Sequence, residues 1–215
     1  MKRLFGNITG LKANQIRRLE NFYRRRIQPQ FLISPELTRD LSSLSHEIRR
    51  QIGLLVNRKG KVAYVIVGDQ KKIVIPSTGE YRAAPGRLKG LRCIHTHLAD
   101  EPLTGDDLVD LSLLRLDMMA AVVDGKGGIA KKIYAAHILP KNPNGDPYRL
   151  LPPLLPSELN IDCLAMIQAL ETELARMSKG HTADSGTERA LLVSVSATSK
   201  QKALESLAEL NSLAK

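Results

Sequence analysis

The sequence contains no tryptophan, and aromatic residues make up only 4% of it. A core built from this chain must therefore be packed with Leu, Ile, Val and Ala, and aromatic stacking on single-stranded nucleic acid is poorly supplied. Cysteine is equally scarce. Cys93 and Cys163 stand far apart in apolar patterns, which excludes a disulfide framework and fits buried thiols of a reducing compartment. No stretch approaches the ~18 uninterrupted apolar residues of a membrane span. The opening MKRLFGNITG lacks the apolar segment of a secretory signal, so a cytoplasmic protein is expected. Acids are sparse at the start: residues 1–60 hold 13 Lys/Arg against 4 Asp/Glu, so nearly all of the net charge of +10 lies in the first quarter. That sign favours an anionic partner such as nucleic acid, a ribosome or an acidic membrane surface.

What is present suggests one core of ~150 residues with something added. A helix is expected from about Lys12 to Arg26, ending before Pro29 and carrying Arg17, Arg18, Arg24, Arg25 and Arg26 on its polar faces. Guanidinium groups match phosphate oxygens, which makes these five the candidate RNA contacts; arginines at a helix C-terminus also simply complement its dipole. Ser34-Pro35-Glu36 is a written helix start, followed by an apolar stripe of Leu37, Leu41, Leu44 and Ile48. Leu54–Val56 and Val62–Val67, split by Asn57–Gly60, form a β-hairpin, and Ile73–Ile75 is expected as a further strand. Leu91–His95, Met118–Val123 and Ile133–Leu139 complete the strands, with a helix expected over Thr104–Leu116. The glycine turn Asp124–Gly128 lies between strands and lacks the Gly-x4-Gly-Lys-Ser/Thr spacing, so it is not a phosphate-binding loop.

Pro140–Pro156 holds six prolines and is the clearest break. It suggests an α/β N-terminal domain over 1–140, then a boundary, amphipathic helix (Ser157–Met177) and linker over 141–187. The start of another, incomplete domain is expected over 188–215, from a strand at Ala190–Val195 and a helix at Lys200–Leu213. The fold class expected is α/β, a mixed β-sheet flanked by helices.

The stretch with chemistry in it is RCIHTHLADEPLTGDDLVDL. In a strand, His95 and His97 share a face while Thr96 points to the other. Thr104 is an N-cap, and Asp107 falls in the first turn of the following helix. Two imidazoles and a carboxylate around an open position match the donors of a catalytic zinc site. The same Thr104-x-x-Asp107 spacing is also close to a capping box, in which the acid serves only the backbone.

Two resemblances follow from these motifs. GNITGLKANQIRRLENFYRRRIQPQFLISPEL, SHEIRRQIGLLVNRKGKVAYVIVGD, IHTHL and LTGDDLVDLSLLRLD resemble the N-terminal extension of the long bacterial form of HflX, a translation-associated GTPase family. ERALLVSVSATSKQKALESLAEL resembles the first βα unit of the domain before its GTPase domain. The resemblance implies a ribosome-associated cytoplasmic protein whose partners are ribosomal RNA and its own GTPase domain, with GTP and Mg handled in that domain. The order of helix, hairpin, His-x-His strand and Thr-x-x-Asp helix start is similar to the JAB/MPN metalloprotease-like fold. That resemblance implies zinc on His95, His97 and Asp107, with Thr104 where the family has serine. The family's upstream glutamate, which acts as base, falls on Arg50 by position, and Glu47 one turn earlier is the remaining candidate.

Three functions are therefore expected in competition. The first is a ribosome- or RNA-binding accessory module that binds no cofactor within this chain. The second is a zinc-dependent peptidase or isopeptidase using Glu47 as base and Thr104 at the oxyanion. The third is a spacer or autoinhibitory lid.

Overall fold

The computed structural model describes residues 3–81, 83–84, 86–140, 145–157, 159, 161–181 and 200–213. The chain divides into two compact units, Met1–Ser178 and Lys179–Lys215.

The first unit is an α/β structure around a mixed sheet of seven strands: β1 Leu4–Gly6, β2 Ile52–Asn57, β3 Val62–Val67, β4 Leu91–His97, β5 Met118–Asp124, β6 Ala130–Ile138 and β7 Tyr148–Leu150. Their order across the sheet is β1-β3-β2-β4-β5-β6-β7. The pairs β1/β3 and β4/β5 are parallel and the other four antiparallel. Every residue of β4 and β5 is buried, as central strands covered on both faces must be.

Side-chain alternation along β4 separates the two faces. His95 and His97 point to the face covered by α3 (Gly105–Leu113), where they meet Asp107. Thr96 points to the opposite face, where its hydroxyl lies 2.6 Å from Ser45 Oγ of α2 (Pro35–Ile48). Ser42 of α2 bonds Asp124 at the end of β5, so α2 lies against the β4–β5 pair. Leu41 and Leu44 are fully buried and anchor α2 in the core.

Local chemistry explains the element ends. Ser34 Oγ accepts from Leu37 N–H, and Pro35 takes the first helical position of α2. The β2–β3 turn needs Gly60: its φ is +74°, and a Cβ there would lie 1.6 Å from the Ile27 carbonyl oxygen. α4 (Cys163–His181) begins where Asp162 Oδ1 accepts from Ala165 N–H, and Cys163, Ile167, Leu170 and Leu174 enter the core.

Several expected elements differ. The first helix, α1, covers Ala13–Asn21, followed by a 3-10 turn at Phe22–Arg24, and Arg25 is extended. The α-helix stops because Phe22 and Tyr23 are both buried, and the Tyr23 hydroxyl is held by Arg3 O and Val65 N–H. Ile73–Ile75 forms no strand: β1 already occupies the outer edge of β3. Ile73 instead lies over Gly53, where a Cβ would meet its Cδ1 at 2.7 Å. The proline-rich stretch continues the sheet, because β7 pairs with β6 and Leu154 bridges to Ile133. Pro147, Pro152 and Pro153 flank β7, an edge strand, where missing donors are tolerated. α4 begins six residues later than expected.

In the second unit, α5 covers Lys200–Leu213, as expected. The strand expected at Ala190–Val195 lies outside the described residues. No helix among the described residues is long and apolar enough to cross a membrane.

Candidate metal centre

Strand β4 and the first turn of α3 bring His95, His97 and Asp107 together. The two Nε2 atoms are 2.9 Å apart. Asp107 Oδ1 lies 3.2 Å from His95 Nε2, and Oδ2 lies 3.4 Å from His97 Nε2. The histidines are buried and Asp107 nearly so, with 13% of its side chain exposed. These are the three residues expected from the sequence.

Two imidazole nitrogens at that distance cannot both present lone pairs to each other beside a carboxylate. One of the two must present an N–H to the other, or both must face a metal ion. Tetrahedral zinc, with N and O ligands at about 2.0–2.1 Å, would separate its ligand atoms by roughly 3.3 Å. The three separations in the structure bracket that value. The His97 ring is oriented from behind, its Nδ1 lying 3.3 Å from the Glu101 carbonyl oxygen, to which an Nδ1–H donates. His95 Nδ1 is buried and has no hydrogen-bond partner among the described residues.

Thr104 serves both readings of its motif. Its backbone N–H and hydroxyl each donate to Asp107 Oδ2 at 2.7 Å, and its oxygen accepts from Asp107 N–H at 3.3 Å. The capping box is formed, and it also aims the carboxylate at the histidines. Thr104 is thereby committed to Asp107.

The electrostatics are those of an ionised acid among imidazoles. Burial opposes the charge on Asp107, but bonds to His95 and His97 and the Thr104 N–H outweigh it and hold the carboxyl far below its usual range. Burial drives His95 below its ordinary value, against the pull of Asp107. His97 is also penalised by burial, yet the hydrogen bond to Asp107 carries it above its ordinary value. Burial next to Asp107 and Asp106 raises the neighbouring Asp110.

Glu47 is not part of this centre. It sits on α2, across the sheet from the histidines, where it accepts from Gln15 Nε2 at 2.8 Å and pairs with Arg18. Arg50, the residue on which the expected upstream glutamate would fall, donates to the carbonyls of Asn7 and Thr9. The five arginines also divide. Arg18 pairs with Glu47 and Arg25 with Asp40, whereas Arg17, Arg24 and Arg26 are exposed with no ion-pair partner among the described residues.

The sequence reading missed a second polar group, on the other face. His46 Nδ1 lies 2.7 Å from Asp124 Oδ2, and Ser42 Oγ donates to Oδ1 at 3.2 Å. Three such residue types suggest a hydrolytic triad, but here the hydroxyl bonds the carboxylate and not the imidazole. The group clamps the glycine turn: a Cβ on Gly128 would lie 3.2 Å from His46 Cβ. The one-turn spacing of Ser42 and His46 was visible in the sequence; their acid, 78 residues beyond His46, was not.

Fold and site together define an α/β protein whose mixed sheet presents a His-x-His and aspartate cluster at one strand end. No protein-family model matches the chain, and no curated protein matches its sequence.

Proposed function

We propose that this chain is the ribosome-facing accessory module of a HflX-type GTP-binding protein, on a JAB/MPN-like scaffold, contacting ribosomal RNA through its basic first quarter. The observation that carries this reading is the exposure of Arg17, Arg24 and Arg26 without acidic partners among the described residues, in the part of the chain that holds nearly all of its net positive charge. Unpaired guanidinium groups are free to take phosphate oxygens. In this reading GTP and magnesium belong to the family's GTPase domain. The test is co-sedimentation with ribosomes. Arg17→Ala/Arg24→Ala/Arg26→Ala should lose most binding, while Arg18→Ala/Arg25→Ala, which removes paired arginines, should lose less. Equal binding by the triple variant and the wild type contradicts the proposal.

A second reading, a zinc-dependent peptidase or isopeptidase, is favoured by one observation: the three converging ligand atoms. His95, His97 and Asp107 would hold the ion, which would supply Lewis-acid polarisation of a carbonyl. Against this reading, Glu47 is across the sheet and Thr104 is committed to Asp107. The scaffold can therefore keep its metal centre without the base that the chemistry requires, and a lost general base costs ~10²–10⁴ in rate. Elemental analysis of protein purified without an affinity-metal step tests the centre. This reading predicts about one zinc per chain, absent from His95→Ala/His97→Ala, together with cleavage of peptide or isopeptide substrates; no stoichiometric metal in the wild type contradicts it.

A further inference from the structure

Low aromatic content argues against stacking on single-stranded nucleic acid, yet the fold concentrates what there is. Of eight Phe and Tyr residues in the chain, four line one cleft of about 690 Å³ beside the β1–β3 edge: Phe5, Tyr23, Tyr64 and Tyr81. Tyr64 is the hinge of the group. Its ring centroid lies 5.2 Å from that of Phe5 and 6.3 Å from that of Tyr81. Phe5, Tyr64 and Tyr81 are half-buried, so each ring keeps part of its surface toward solvent.

The cleft is also cationic. Arg3 and Lys61 line it, and the Arg3 guanidinium carbon lies 5.1 Å from the Phe5 ring centroid. One acid, Glu80, is in the lining. Arg26 forms the isolated bridge to Lys61, which connects the cleft to the Arg24–Arg26 run of the proposed RNA face. Tyr23 is the fixed wall: its hydroxyl donates to Arg3 O and accepts from Val65 N–H.

Rings with exposed surface, rimmed by cations, have the chemistry that takes unstacked bases and their phosphates. The volume is in the range of small-ligand sites and accommodates a nucleotide. We infer that the Phe5/Tyr64/Tyr81 cleft binds a single-stranded RNA segment, with bases against the rings and phosphates at Arg3 and Lys61. The inference rests on the proposed RNA-facing role and adds to it a site for unpaired bases.

The test uses the full chain and fluorescently labelled single-stranded oligo-uridine and oligo-adenosine of roughly ten nucleotides, beside an RNA duplex of the same length, read by anisotropy. Single strands should bind more tightly than the duplex, whose bases stay stacked. Tyr64→Ala and Tyr81→Ala should each weaken single-strand binding by roughly ten-fold, and Tyr64→Phe should keep it. Lys61→Ala should lower the salt slope by about one. Tyr81 lies in a loop outside the sheet, so its variant tests the cleft even if Tyr64→Ala unfolds, which thermal melts would show. Undiminished single-strand binding by Tyr81→Ala and folded Tyr64→Ala, or equal affinity for duplex and single strand, overturns the inference. If the variant lacking Arg17, Arg24 and Arg26 leaves the ribosome but still binds oligonucleotides in a tyrosine-dependent way, the cleft stands and the outer arginine contact fails. The reverse pattern rejects the cleft alone.

Discussion

The guanidinium of Arg58 donates to both Asp117 oxygens, at 2.7 and 2.9 Å, and to both Glu171 oxygens, at 2.9 and 2.8 Å. Asp117 is buried and also accepts from Gly90 N–H. Replacing Arg58 by Ala would leave a buried carboxylate without its cation, and we expect a loss of about 3 kcal/mol in denaturant unfolding. The hydrogen bond from Arg58 holds Glu171 below its ordinary range despite partial burial. Its folded pKa is lower than its unfolded value of about 4.3, so its stabilisation is complete above that value and fades as pH falls through the folded one. Glu171→Gln should therefore flatten the acid side of the stability profile between pH ~5 and ~3 while leaving the slope near neutrality unchanged. An unchanged acid limb contradicts this assignment. At this scale the sequence was informative where spacing is short. His95, His97, Thr104 and Asp107 were legible because strand alternation and a helix cap dictate their directions. The Arg58–Asp117–Glu171 network was not, because its members are separated by 59 and 113 residues from the arginine.

Among the elements, α2 was the most legible, since Ser34 and Pro35 mark its start and its apolar stripe recurs at helical spacing. Ser34→Ala removes the bond to Leu37 N–H and should lower stability by about 1 kcal/mol. Ser34→Gly should cost only a few tenths. Equal effects would mean that the side-chain oxygen is not the cap. The short strands were illegible for a physical reason: β1 and β7 have three residues each, too few to show a period of two, and their pairing is decided by vacant edges elsewhere in the sheet. Ile73–Ile75 failed in the opposite direction. Its residues favour a strand, but the edge it would join is taken. Prolines marked the region before α4 as a break, whereas an edge strand needs donors on one side only.

For the whole molecule, the decisive fact is which face of the sheet each helix covers. α3 lies with the histidines and α2 lies across from them, so Glu47, the candidate base, is remote from the candidate metal centre. Spacing along the chain could not reveal this, because the hairpin and residues 68–90 intervene between α2 and β4. The charge distribution was legible as a count, but the structure decides which arginines are paired: Arg18 and Arg25 are, and Arg17, Arg24 and Arg26 have no ion-pair partner among the described residues. The measurement that tests this account most directly is the salt dependence of ribosome binding by the intact chain. Three phosphate contacts at Arg17, Arg24 and Arg26 predict a contribution of roughly −2 to −3 to the slope of log affinity against log salt, which the variant lacking those arginines should lose. Binding that ignores salt, or a slope left unchanged by the loss of those arginines, would contradict it.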